Sequence, residues 1–202
     1  MSPVSSSPRL VLASGSAVRA TLLHQAGLSF DIQNSRVDED AIKLGFADSN
    51  IDELALRLAE AKALAVSVNA GDALVIGADQ ILSCNKARFD KPRDMAEARR
   101  NLLTYRGHTH RLHSGVVIAQ NGNIVWRHSD HADLTMRNFS DAFLDHYLET
   151  VGEKVMTSVG CYQLEGPGIQ LFEKIEGDYF TILGLPLLAL LDELRSRQQV
   201  LA

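Results

Sequence analysis

Hydrophobic and polar positions divide this chain into alternating strands and helices. Nearly unbroken apolar runs at 9–13 and 73–78 predict strands buried on both faces, where no polar side is needed. Alternating apolar and polar residues at 113–120 and 124–136 predict two antiparallel strands joined across the turn at 121–123. We therefore expect an α/β fold whose strands form a mixed sheet flanked by helices.

Helical spacing of apolar residues predicts the segments between the strands. We expect helices at about 17–25, 51–68, 94–103, 140–151 and 185–197, a short extended piece near Phe30 and a last strand at 169–175. Residues 37–40 (VDED) are expected to form an acidic loop. The Ser/Pro-rich start at 1–8 is expected to be flexible, and 9–202 to form a single domain, because no linker or repeat divides it.

Composition and charge narrow the class of protein and its partners. The chain is 46% hydrophobic and 22% charged, which is ordinary for a globular domain. Its net charge of −5 provides no basic field for nucleic acid, although a few cations in one cleft could still bind a small anion. The two cysteines, Cys84 and Cys161, are too few for a disulfide framework. With no signal-like start and no apolar run long enough for a bilayer, we expect a cytoplasmic protein that binds neither membrane nor nucleic acid.

Asp79 is the strongest single candidate for chemistry. It follows the buried run at 73–78, and open α/β sheets bind their ligands at the carboxyl ends of such strands. A carboxylate there can act as a general base or as a ligand for a hard divalent cation. It can equally be a hydrogen-bonded structural aspartate, and the pattern alone does not decide between these interpretations.

The segment from Ser14 to Arg19 joins a predicted strand to a predicted helix. Two hydroxyls, a glycine, a helix N-terminus and an arginine suit phosphate oxygens, although Ser-Gly-Ser before a helix also serves as ordinary capping. Lys62 lies on the apolar side of its helix, where lysines commonly extend their ammonium groups to solvent. Lys91 precedes a proline, as surface turn residues often do. The acidic pair Asp38 and Glu39 is typical of a solvated loop, unless the fold brings these residues into one site.

Three histidines and one missing motif bear on other classes of function. His108, His110 and His113 suggest a metal site, but the period of a strand explains them as ordinary strand residues. No Gly-x-x-x-x-Gly-Lys-Ser/Thr loop occurs, which excludes a P-loop kinase or GTPase.

Taken in order, these pieces resemble the Maf family of nucleoside triphosphate pyrophosphatases over nearly the whole chain, from residue 9 to about 195. The matching segments are LASGSAVRATLL (12–23), VDE (37–39), RLAEAKA (57–63), VIGADQIL (75–82), DKP (90–92), GHTHRLHSGV (107–116) and GCYQLEGPG with EGDYFTILGLPL (within 160–187). Each motif is short, and their number, order and spacing make the resemblance specific.

The resemblance implies a mixed α/β fold with two lobes around a deep cleft, often as a homodimer. It implies hydrolysis of the bond between the α- and β-phosphates of a nucleoside triphosphate, with Mg²⁺ or Mn²⁺ as the cofactor. Asp79 becomes the general base, and Glu39 and Asp79 become the ligands of the cation. The residues implied to grip the triphosphate are Ser14, Ser16, Arg19, Lys62 and Lys91.

Three positions bear on the choice of base. Where pyrimidine-specific members of the family carry threonine after the catalytic aspartate and glutamine in a later segment, this chain has Gln80 and Glu165. Both resemble the 7-methyl-GTP pyrophosphatase branch, and a carboxylate can accept hydrogen bonds from guanine. Val18 departs from that branch, which has an aromatic residue there to stack on a methylated base. A dTTP or UTP pyrophosphatase, or a nucleotide-binding regulator of septum formation, therefore remains an alternative.

Overall fold

The computed structural model describes residues 8–46 and 50–201. The predicted flexible start lies outside this range except for Pro8. The described strands are β1 Leu10–Leu12, β2 Phe30–Ile32, β3 Leu74–Cys84, β4 Ala87–Phe89, β5 Thr109–Gln120, β6 Asn123–Met136 and β7 Phe172–Glu176. The described α-helices are α1 Ala17–Gln25, α2 Glu39–Leu44, α3 Ile51–Ser67, α4 Met95–Tyr105, α5 Asp141–Val151, α6 Tyr179–Ile182 and α7 Leu187–Ser196. Short 3-10 helices occupy Gly152–Thr157 and Pro167–Leu171.

The described strands form one mixed sheet of seven strands. Its order is β2-β1-β3-β5-β6-β7, with β4 pairing β3 beside that path. β1 runs parallel to β2 and β3, and the other pairs are antiparallel. The long β5–β6 hairpin turns at Asn121 and Gly122, whose φ angles of 50° and 73° are those that Asn-Gly adopts readily. The predicted α/β fold with a mixed sheet is confirmed.

Asp79 lies inside β3 and not at its carboxyl end. The buried run at 73–78 ends directly before it, but residues 80–82 (QIL) keep the strand-like pattern, and the structure confirms that continuation. β1 stops pairing with β3 at the Leu12–Ile76 pair. β5 continues alongside β3 to the Cys84–His110 pair, so the strand has a partner well beyond Asp79. Asp79 therefore sits three residues past the end of parallel pairing, beside the opening that the short β1 leaves in the sheet.

Helix α3 packs directly on the backbone of β3 and β5. A Cβ at Gly77 would lie 2.3 Å from the carbonyl oxygen of Ala59, and one at Gly115 would lie 2.8 Å from that of Ala55. No real side chain tolerates such distances, so the helix approaches the sheet this closely only because both positions are glycine. This contact brings Lys62, one turn beyond Ala59, over the sheet at Asp79.

Most predicted helices are confirmed, and the differences have local causes. The expected acidic loop instead starts α2, because the Asp38 side chain accepts a hydrogen bond from the Ala41 amide and caps the helix. The expected strand at 169–175 begins only at Phe172, since Pro167 starts a 3-10 turn before it. β4 and α6 were not predicted from the sequence pattern. Within the described ranges, no helix combines the length and the apolar character needed to cross a membrane.

Replacing Gly77 by alanine tests the close approach of α3. We expect Gly77→Ala to lower the free energy of unfolding by about 2 kcal/mol or more, as overpacking does in tight cores. Gly45→Ala is the matched control, because its φ of −77° suits alanine and the nearest atom to its Cβ position lies at 3.6 Å. Urea unfolding followed by circular dichroism measures both variants. Equal stability of the two would contradict the packing argument.

Candidate active site

Two adjoining cavities open where β1 ends. The larger has a volume of ≈ 910 Å³, and the smaller, of ≈ 80 Å³, has a mainly apolar wall that includes Leu112, Tyr162 and Ile182. Val18 and Gln80 line both cavities and mark their junction. A polar chamber continuous with a smaller apolar pocket matches the two chemical parts of a nucleotide, its phosphates and its base.

The larger cavity is lined by equal numbers of basic and acidic side chains. Its described basic residues are Arg19, Lys43, Lys62, Lys91 and Arg93, and its acidic residues are Glu39, Asp40, Asp79, Asp90 and Glu97. Five formal positive charges therefore face five negative ones. A polyanionic ligand that enters this cavity shifts the balance to negative unless another cation accompanies it.

Lys62 joins two acidic side chains at the centre of this cavity. Its Nζ lies 2.5 Å from Asp79 Oδ1 and 2.7 Å from Glu39 Oε1. The Lys62 and Asp79 side chains are each only 10% exposed, whereas Glu39 is 39% exposed. Since α3, β3 and α2 supply one residue each, the charges meet only in the folded chain.

The turn after β1 presents hydroxyls and a helix N-terminus to the same cavity. Ser16 caps α1 by accepting a hydrogen bond from the Arg19 amide at 3.4 Å. Ser14 Oγ accepts from the Ser16 amide and from Arg19 Nη1, both at 3.2 Å. Ser14, Gly15 and Ser16 all line the cavity. The capping and ligand-binding interpretations are thus compatible, because a capped helix still directs its positive end outward.

Arg19 is a buried guanidinium held by the main chain. Nε donates to the Gly184 carbonyl oxygen at 2.8 Å, and Nη1 donates to that of Ala78 at 2.9 Å. Burial lowers the pKa of Arg19, while the charges of Asp79 and Glu39 act against this change. An arginine remains protonated under such conditions. It therefore gives the cavity a fixed positive charge in a fixed orientation.

Three further cations surround the wider part of the cavity. Lys43 pairs with Asp90 at 2.7 Å, and Arg93 pairs with Glu97 at 2.9 Å. The pKa of Lys91 is lowered, first by loss of surrounding water and then by the positive charges of Arg19 and Lys62. Lys91 was predicted from the sequence, whereas Lys43 and Arg93 were not. The helical spacing of Lys43 from Glu39 was the signal that could have identified it.

Gln80 and Glu165 lie at different depths of the site. Gln80 stands at the junction of the cavities, whereas Glu165 lines only the smaller one and is exposed. Thr157, Ser158 and Val159 also border both cavities, and the sequence analysis did not identify them. All the predicted site residues therefore lie on one pair of adjoining cavities.

The three histidines do not converge on one point. His110 is buried, its Nε2 lies 2.7 Å from the Tyr162 hydroxyl, and burial lowers its pKa to about 4. His113 lies instead between Asp52 and Ser83, at 2.7 and 2.8 Å. Over the ranges that the structure describes, no group of three or more His, Cys, Asp or Glu side chains is arranged to hold a metal ion.

Comparison with known proteins gives one consistent family. The profile of the family described as "Maf-like protein" matches residues 9–197. A nucleoside triphosphate pyrophosphatase of Paramagnetospirillum magneticum is 54% identical over 192 residues, covering 94% of this chain and 99% of the relative. A 7-methyl-GTP pyrophosphatase of Rhizobium meliloti is 51% identical over 190 residues, covering 93% and 96%. A nucleoside triphosphate pyrophosphatase of Caulobacter vibrioides is 50% identical over 188 residues, covering 92% and 94%.

A double-mutant cycle tests the coupling between Lys62 and Asp79. We expect Lys62→Met to destabilise the protein by about 2 kcal/mol at neutral pH, because two carboxylates lose their shared cation. This is below the roughly 3–5 kcal/mol of fully buried pairs, since water in the cavity solvates the carboxylates. Adding Asp79→Asn should recover part of the loss. Thermal unfolding measures the cycle.

The exposed Lys174, which pairs with Glu176 on β7, provides the control for this cycle. Lys174→Met should leave the melting temperature unchanged, because exposed ion pairs contribute little. Strictly additive effects of Lys62→Met and Asp79→Asn would show that the two side chains are not coupled.

Proposed function

The chain belongs to the family of Maf-like proteins, and we propose from this that it hydrolyses nucleoside triphosphates to a nucleoside monophosphate and pyrophosphate. It is a hydrolase acting on a phosphoric anhydride, as its near full-length relatives are named. The observation that carries the assignment is the junction of two unlike cavities, one crowded with charges and one apolar. The phosphates and the nucleoside of one substrate need these two environments side by side.

Asp79 is the proposed general base. A water attacks phosphorus at the α–β anhydride, the phosphorus–oxygen bond breaks, pyrophosphate leaves, and the water proton passes to the Asp79 carboxylate. In this structure Lys62 occupies one carboxylate oxygen. Phosphate oxygens that draw the Lys62 ammonium toward themselves free that oxygen to accept the proton. Binding of the substrate would thus free Asp79 to act as the general base.

Arg19, Lys62 and Lys91 are the proposed phosphate-binding cations. Arg19 is the rigid member, since two main-chain carbonyls orient it. Lys91 has no carboxylate within ion-pair distance among the described residues, so its charge is available to a ligand. Charges fixed before substrate arrives need no reorganisation when negative charge moves to the leaving group.

We propose Mg²⁺ or Mn²⁺ as the cofactor, with Glu39 and Asp79 holding it. The donor set fits, because the Glu39 and Asp79 carboxylates converge on the position that the Lys62 ammonium occupies in this structure. Mg²⁺ commonly takes one or two carboxylates, with phosphate oxygens and water completing the shell. The balanced charge of the cavity also favours a cation that arrives with the phosphates. When bound, such a cation neutralises charge on the phosphates and stabilises the leaving group.

A purine of the 7-methylguanine type is the proposed base. Several relatives at about half identity are named 7-methyl-GTP pyrophosphatases, whereas others carry only the general name. The Glu165 carboxylate at the smaller cavity can accept from the N1–H and amino group of guanine. Val18 lines that cavity too, so this position faces the nucleoside, but it offers no aromatic ring for stacking.

The first test is pyrophosphate release from a panel of 7-methyl-GTP, GTP, dTTP, UTP and CTP with Mg²⁺ or Mn²⁺. We expect turnover of at least one triphosphate, and loss of about 100-fold or more in kcat for Asp79→Asn, the size of a general-base contribution. Asp145→Asn, an exposed carboxylate paired with Arg99, is the control and should retain activity. A folded protein that binds nucleotide without turnover would instead indicate a regulator. Equal activity of Asp79→Asn and the parent would remove Asp79 from the mechanism.

The substitution Glu165→Gln tests how the nucleobase is recognised. An amide in place of the carboxylate introduces a donor opposite the donors of guanine, so we expect kcat/KM for 7-methyl-GTP and GTP to fall about tenfold relative to UTP. Glu173→Gln, on the exposed part of β7, is the matched control. An unchanged ranking of substrates in Glu165→Gln would show that this carboxylate does not face the base.

A further inference from the structure

Gln80 is anchored by one end of its amide only. Its Nε2 donates to Thr181 O at 2.9 Å, to Ser114 Oγ at 3.0 Å and to Ile182 O at 3.2 Å. Carbonyl oxygens can only accept, so a flipped amide would set oxygen against oxygen there. The amide nitrogen therefore points into the protein. The remaining group, Oε1, is the part of the side chain left for a ligand.

Ser114 completes this anchor. Its hydroxyl donates to the Thr181 carbonyl at 3.0 Å, which leaves its lone pairs to accept from Gln80. Ser114 is buried, with 1% of its surface exposed, and it lines neither cavity. The Thr181 main chain is itself held, because the Asp178 side chain accepts from its amide at 2.8 Å.

Gln80 lines both the phosphate and the base regions, and its free oxygen lies on the side of the larger cavity. A Cβ at Gly184 would lie 3.6 Å from Gln80 Oε1 and 3.5 Å from Arg19 Nη2. Gly184 and Arg19 line only the larger cavity, whereas Glu165 lines only the smaller. In a nucleotide that spans both cavities, the part at their junction is the sugar, whose hydroxyl groups are hydrogen-bond donors.

We propose that Ser114 is a positioning residue that fixes Gln80 as an acceptor for a sugar hydroxyl of the substrate. The inference rests on the proposed function and adds a preference for ribonucleotides over a deoxy form. The fixed acceptor costs little to orient when substrate binds, because the protein has already selected its rotamer. Glu165 remains the acceptor that faces the base.

The experiment compares GTP with 2′-deoxy-GTP and 3′-deoxy-GTP, by steady-state kinetics and by calorimetric binding to the same protein. We expect one deoxy form to show KM and Kd raised about five- to tenfold, the value of one hydrogen bond, and the sensitive form identifies the hydroxyl. In Ser114→Ala this difference should shrink to about twofold, with kcat for GTP changed less than KM. Ser114→Thr, which keeps a hydroxyl, should restore it.

Gln80→Glu gives a second test that does not depend on folding of the Ser114 variants. It keeps acceptor oxygens but cannot donate to the Thr181 and Ile182 carbonyls, so it should lose the same discrimination. Three results would overturn the proposal. The first is that the parent protein shows no preference for GTP over either deoxy form, and the second is that Ser114→Ala keeps that preference unchanged. The third is that Ser114→Ala changes only the ratio of GTP to ITP, two substrates that differ only in the nucleobase. Absence of turnover with every triphosphate would refute the proposed function, while the binding arm still tests Gln80.

Discussion

The contact of α3 with two glycines of the sheet is the constraint on which the site depends. Gly77 and Gly115 let the helix backbone lie against β3 and β5 with no side chain between them. A side chain at either position would push the helix, and Lys62 with it, away from the sheet. The same closeness leaves the Lys62 and Asp79 side chains only 10% exposed, which strengthens the attraction between them. The two glycines therefore set both the helix-to-sheet distance and the position of the Lys62–Asp79 ion pair.

Charged side chains of the larger cavity are paired in this structure, and the proposed mechanism requires these pairs to separate. Lys62 pairs with the Asp79 and Glu39 carboxylates in this structure, and in the proposed mechanism phosphates draw its ammonium away while a cation takes the two carboxylates. A chain selected only for stability could fill this volume with apolar residues, since buried ion pairs rarely stabilise more than good packing. Retaining paired charges next to open space therefore indicates selection for binding or chemistry at this cavity.

Local sequence patterns predicted the elements of this fold but not the contacts that assemble the site. Helical period and capping located α1, α3 and α5 because those signals lie within a few neighbouring residues. The strand-like pattern of residues 80–82 indicated that β3 continues past Asp79, but its full length to Cys84 depends on pairing with the distant β5. Asp38 was assigned to a loop because an acidic tetrapeptide fits both a solvated loop and a helix start.

The candidate site shows the same division. Asp79, Arg19 and Lys62 entered as possibilities from local pattern and gained specific roles from the family resemblance, and the structure places them together. Lys43 was missed because residues 37–40 were expected to form a loop, so its helical spacing from Glu39 was not considered. Arg93 was missed because it is an ordinary surface cation in sequence, distinguished only by the cavity it borders. The anchor of Gln80 was beyond any local signal, since its partners are main-chain carbonyls about a hundred residues away. Main-chain acceptors carry no side-chain identity that a pattern could reveal.

The segment that ends at Gly184 orients residues from both early strands, through the Gly184 carbonyl to Arg19 and through the Thr181 and Ile182 carbonyls to Gln80. Translation delivers that segment about a hundred residues after Gln80. A ribosome-bound nascent chain can therefore already contain β1 and β3 while it lacks the acceptors that orient Arg19 and Gln80. These two side chains adopt the arrangement seen here only after residues 181–184 have been synthesised.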